Sequence, residues 1–205
     1  QQGIAAGTLQ RMGEGGLRFH VAGFPVSVPL GGILGVLLIA YLWTPNFTEP
    51  GRSGIVLAVV FAVLLYAGVL VHELAHAWAA RAFGYPVHGI TLWLLGGYTV
   101  YERRSSRPWP ELMIAVIGPV STLVLAGLCW VLAEATSGST SLLLGALAWT
   151  NGLLGVLNLL PGAPLDGGGV VKSLVWRVSG SESAGAKAAG YAGLVIAVLL
   201  GVLAV

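Results

Sequence analysis

Within the stretch VHELAH, residues 71–76, two imidazoles and a carboxylate fall close together in an otherwise apolar run. On a helix, positions four apart share a face, so His72 and His76 can both present a nitrogen to one metal ion. Glu73 stands beside them, where a carboxylate can hold a metal-activated water and take its proton, as H-E-x-x-H sites do in zinc hydrolases. For a chain with this His and Glu content, chance supplies the pattern in roughly 0.003 cases. Location sharpens it: the three residues come late in the run Ile55–Ala80, and ionisable groups at membrane depth are costly enough to mark function. The competing explanation, a helix end whose His and Glu reach the headgroups, gives no reason for the i, i+4 spacing.

A third donor is available in Asp166, the only aspartate of the chain. It lies in NLLPGAPLDGGG, residues 158–169, whose prolines and glycines cannot continue a helix and so leave irregular backbone amid apolar sequence. Asp166 is placed to begin a helix over 167–178, so an ordinary N-cap is one reading. Beside a His pair that lacks a third protein ligand, metal ligation is the better one. Two ligands from one helix and one from a broken segment leave the fourth position of one zinc ion for water. His20 suits a solvated strand residue better than a ligand. Cys129, the single cysteine, excludes an internal disulfide and a cysteine-based metal site, and its apolar setting reads as a packed or lipid-facing thiol.

The elements that must position these groups follow from hydropathy. The chain is 56% hydrophobic and 9% charged, far below the roughly one quarter of charged residues in soluble domains. The expected fold is an α-helical polytopic membrane protein with about five to six transmembrane helices and short cytoplasmic-side strands, a single domain over 1–205. Spans are expected at 29–43, 54–82, 110–135, 141–160 and 184–205, with a loop from Thr44 to Ser53 and a short helix over 166–178. Residues 1–16 read as a flexible start without a cleavable signal peptide, and 17–28 as two short strands around Gly23. Within 86–102, Gly89–Leu95 and Tyr98–Glu102 read as hairpin strands joined by Gly96 and Gly97. An open strand edge cannot face lipid, so this hairpin is either a simple connector or an edge that pairs with an unwound peptide. Gly118 and Pro119 predict a kink or close helix contact near mid-span. A net charge of +2 is too small to argue for nucleic acid.

Lys and Arg set the orientation. Arg11 and Arg18, the group Arg103, Arg104 and Arg107, and the pair Lys172 and Lys187 fall on one side if each span crosses once, which predicts a cytoplasmic amino terminus. His72 precedes the boundary residue Arg81 by about 14 Å of helix, so the metal would be submerged nearer the cytosol.

These residues resemble the site-2 protease family of intramembrane zinc metalloproteases. The likeness rests on HELAH at 72–76, on NLLPGAPLDGG at 158–168 and on Gly118-Pro119 between them, with weaker likeness in GFPVSV and in the LLGG hairpin. It implies zinc on His72, His76 and Asp166, Glu73 as general base and Asn158 near the developing oxyanion. It also makes the edge around Leu94, Leu95, Gly96, Gly97 and Tyr98 a substrate clamp. The implied partner is a single-span membrane protein, for example of the anti-sigma factor type, in the cell membrane of a prokaryote. Gly169 departs from the arginine that the family often has after D-G-G. Some relatives continue into a sixth span and regulatory CBS domains, so this chain is expected to be a trimmed membrane core. A zinc transporter would show paired half-sequences with ligands in both, and only one ligand set is present. A catalytically silent relative would have lost the Glu or a ligand, and neither is lost.

Overall fold

The computed structural model describes residues 16–48, 54–94, 96–103 and 107–203. The expectations for the first fifteen residues, for Leu95 and for Arg104 lie outside the described residues.

The chain enters through an antiparallel hairpin of β1 (Gly16–Val21) and β2 (Phe24–Pro29). Its two-residue turn has φ of 52° at Ala22 and 79° at Gly23, as a tight hairpin with right-handed strand twist requires. Helix α1 (Leu30–Phe47) follows directly. It corrects the loop expected from Thr44, because Pro45 falls within the last turn without ending it. The extra turn is held by packing: Phe47 is buried, and the rings of Trp43 and Phe47 lie 4.3 and 5.6 Å from that of Phe61.

Helix α2 (Ile55–Ala82) spans 28 residues, about 42 Å, more than the roughly 30 Å of a bilayer core. It is uninterrupted because no proline and only one glycine, Gly68, occurs in it. Gly84, with φ of 78°, ends it by donating to the Arg81 carbonyl while the Tyr85 N–H reaches that of Ala80, the paired bonds of a Schellman stop. Arg81 then ties this end to the first hairpin, donating to the Gly23 carbonyl at 3.0 Å and lying 3.7 Å from the centre of the Phe24 ring.

Strands β3 (Val87–Trp93) and β4 (Gly96–Tyr101) complete a four-stranded sheet in the order β1-β2-β3-β4, with β2 and β3 parallel and β4 at the edge. Phe24, Val26, Ile90 and Leu92 pack with Tyr66, Leu74 and Ala77, so the sheet lies against the second half of α2. The remaining helices are α3 (Pro108–Glu134), α4 (Gly138–Asn158), α5 (Asp166–Ser179) and α6 (Glu182–Leu203). At the other end of α2, Phe61 and Leu65 pack with Leu147, Ala148 and the thiol of Cys129. Among the described residues, α1, α2, α3, α4 and α6 are long and apolar enough to cross a bilayer. Their outward faces carry exposed Leu37, Val124, Trp130 and Leu199, an apolar surface that water would not tolerate at this extent and lipid would.

Candidate active site

Helix periodicity places His72 and His76 on one face of α2, where both are buried against α3. Their outer nitrogens are engaged there. His76 Nδ1 donates to the Ile114 carbonyl at 2.7 Å, and His72 Nδ1 lies 2.8 Å from Thr122 Oγ1. The Thr122 hydroxyl itself donates to the Gly118 carbonyl at 3.2 Å, so its oxygen accepts from His72. With both Nδ1 atoms donating, neutral imidazoles present lone pairs at Nε2. Pro119 supplies no N–H, so the Ala115 carbonyl four residues back loses its ladder bond, and the neighbouring Ile114 carbonyl in the same turn accepts from His76. Gly118 makes the approach of α3 possible, since a Cβ there would run into the ring of His76.

Asp166 arrives from the proline-broken segment. Residues 159–165 form short turns, with Leu165 N bonded to the Gly162 carbonyl and Ala163 N to the Ala189 carbonyl of α6. Asp166 is the first residue of α5, while Leu165 occupies the cap position without any side-chain capping bond. The N-cap alternative therefore fails: the carboxylate turns away from its own helix and toward the histidines. Asp166 Oδ2 lies 3.0 Å from His72 Nε2 and 3.4 Å from His76 Nε2, and the two Nε2 atoms are 3.0 Å apart. Donors about 2.0–2.1 Å from one ion at the tetrahedral angle are about 3.3 Å apart, so this donor set fits zinc. Three lone-pair donors facing one point also need a positive charge between them.

Glu73 is buried on the adjoining face, where the Thr99 hydroxyl of β4 contacts its Oε2 at 2.7 Å and its backbone carbonyl at 3.0 Å. The hairpin differs from the expected one. Its strand β3 gives way to a turn at Leu94, and Gly96 and Gly97 are strand residues of β4, paired with Trp93 and Leu92. The reason is tertiary: a Cβ on Gly97 would stand 2.8 Å from Glu73 Cγ, so glycine lets the strand pass over the acid. Tyr66, two turns before Glu73, pins the turn by donating toward the carbonyls of Leu94 at 2.7 Å and Trp93 at 3.0 Å.

A cavity of about 500 Å³ opens beside these groups, lined by Glu73, His76 and Asp166 and walled by β4, α3, α5 and α6. Gly97 and Tyr98 line it, whereas Leu94 and Gly96 do not. Asn158 closes α4, half-buried and outside the lining. Tyr101 lines it too, and burial, with the Glu111 charge second, pushes its phenol up to about 12, so it remains a hydroxyl at neutral pH. His20 is exposed on β1, away from the donor cluster. Thr99, Thr122 and Tyr66 escaped the sequence reading; the available signal was a hydroxyl at helical or strand spacing from His72 and Glu73.

Residues 60–140 and 133–200 match Peptidase family M50. Rip3 of Mycobacterium tuberculosis is 38% identical over 193 residues, 88% of this chain and 49% of Rip3. The protein sll0528 of Synechocystis sp. is 40% identical over 139 residues, 66% of this chain and 36% of that protein. Both are named as candidate zinc metalloproteases, and the chain spans about half or less of their length. In three dimensions the chain is similar to the site-2 protease of Methanocaldococcus jannaschii, with a TM-score of 0.62 and 25% identity over 79% of this chain and 72% of that one. A helical membrane fold with a small sheet, and family matches that take in His72, His76 and Asp166, lead to one conclusion: the chain belongs to peptidase family M50, the family of the site-2 proteases.

Proposed function

We propose that this chain is a zinc-dependent intramembrane endopeptidase that hydrolyses a peptide bond in or near the span of a single-pass membrane protein, an anti-sigma factor being one example of the class. One observation carries the proposal: buried His72 and His76 and half-buried Asp166 form one donor set, and His76 and Asp166 line a cavity with Glu73 inside a bundle of apolar helices. One zinc ion per chain would be held by those three side chains, and when bound it supplies Lewis acidity toward water and a carbonyl oxygen. Glu73 takes the proton of the attacking water and passes it to the leaving nitrogen, with Thr99 holding one carboxylate oxygen in place. Asn158 is assigned as donor to the developing oxyanion, a role worth about 10²–10³ in kcat that Asn158→Ala would measure.

A helical substrate hides its amides in its own hydrogen bonds, so it must unwind before attack. The outer edge of β4, with Gly97 and Tyr98 at the cavity, can replace some of those bonds by strand addition. The proposal sets the chain in the plasma membrane of a prokaryote with the sheet side in the cytoplasm, an orientation that the positions of the basic residues support.

The test uses a single-span reporter in detergent or lipid discs. Glu73→Gln should abolish cleavage and leave zinc at one per chain. Turnover retained in that variant would remove Glu73 as the base, and purified protein without zinc would end the metal assignment.

A further inference from the structure

The wall that α5 contributes to the cavity has no part in the chemistry described so far. Asp166, Gly169 and Ser173 succeed one another at i, i+3 and i+7, so they form one stripe of the helix, and all three line the cavity. Ser173 is 1% exposed, yet its Oγ has no hydrogen-bond partner. A helical serine commonly satisfies its hydroxyl on the carbonyl four residues back, and this one does not. Leaving a buried hydroxyl unpaired costs free energy, which a ligand seated in the cavity would recover.

Lys172 and Glu182 answer each other within the protein, whereas the buried Glu111 Oε1 has no hydrogen-bond partner. Lys172 Nζ lies 2.8 Å from Glu182 Oε1, the same oxygen that receives Arg103, and Glu111 lies 3.9 Å from the Arg103 guanidinium. A wall that already holds an unanswered carboxylate oxygen does not call for an anionic ligand. Gly169 packs directly against Ala115 of α3, where a Cβ would stand 3.0 Å from the Ala115 Cβ, so no side chain of α5 intrudes into the cavity at this point. On the opposite side stands β4, the edge strand of the sheet. A slot between a strand edge and a helix stripe of small residues, with one unanswered hydroxyl, fits an extended peptide, which presents its carbonyls alternately to either side.

Given the peptidase activity proposed above, we infer that Ser173 is a substrate-binding residue whose hydroxyl donates to a backbone carbonyl of the peptide lying between β4 and α5. It acts on binding and not on proton transfer.

Two measurements test this. In the Glu73→Gln background, a fluorescein-labelled single-span peptide should bind about tenfold more weakly when Ser173→Ala is added, with zinc content unchanged. In the active protein, Ser173→Ala should raise KM for the reporter about tenfold and hold kcat within about twofold. Equal affinity and equal KM would overturn the assignment, as would failure of the Glu73→Gln protein to bind the peptide. If affinity falls although the parent chain cleaves nothing, the peptide slot stands and the peptidase reading fails. If cleavage proceeds and Ser173→Ala changes nothing, the reverse holds.

Discussion

His72 Nδ1 and Thr122 Oγ1 stand 2.8 Å apart, fifty residues distant in the chain, and the threonine hydroxyl in turn donates to the Gly118 carbonyl. This bond orients the ring and directs its other nitrogen at the donor cluster. Thr122→Val keeps the shape and removes the acceptor. Zinc affinity should then fall about 10–100-fold in competition with a chelator, while the far-ultraviolet circular dichroism is unchanged. Parental affinity in the variant would show that packing alone orients His72.

The Thr99 hydroxyl holds Glu73 by both its carboxylate and its backbone carbonyl. Thr99→Val should lower kcat on the single-span reporter about tenfold and leave bound zinc at the parental level, because a misplaced base loses proton transfer without touching the ligands. A parallel loss of zinc would reassign the hairpin to support of the metal.

Tyr66 is a buried phenol that anchors the hairpin turn through the Leu94 and Trp93 carbonyls. Tyr66→Phe leaves those carbonyls without this donor at a cost of about 1–3 kcal/mol. Amide hydrogen exchange over residues 90–101 should accelerate relative to the parent, and unchanged protection there would refute the anchoring role.

Metal removal should register in stability as well as turnover. A ligand at 1,000 times its Kd stabilises the folded state by about 4 kcal/mol, so stripping the protein with a chelator should lower Tm and zinc should restore it. Gly118→Ala forces a methyl group into the His76 ring, so that variant should give no zinc-dependent rise in Tm. A full response would mean that α3 can withdraw without disturbing the site.

Much of this was legible in the chain because it is local. An apolar run long enough to cross a bilayer needs no partner to declare itself, and i, i+4 spacing brings His72 and His76 together on any helix. Where the reading missed, distant packing had overruled a local signal. Pro45 looked like a loop and became helix, because Phe47 and Trp43 pack on Phe61. Gly96 and Gly97 looked like a turn and became strand, because the backbone of Gly97 must pass close over Glu73.

By itself, then, the sequence determined the class of the protein, its apolar spans, and the kinds of side chain offered to a metal, since hydropathy and helical period act over a few residues. Only the tertiary structure decided that Asp166 turns from its helix toward the histidines, that Thr122 and Ile114 orient their rings, and that Thr99 holds the acid. Those choices join segments tens of residues apart, and their energies exist only once α2, α3, α5 and the sheet have closed on one another.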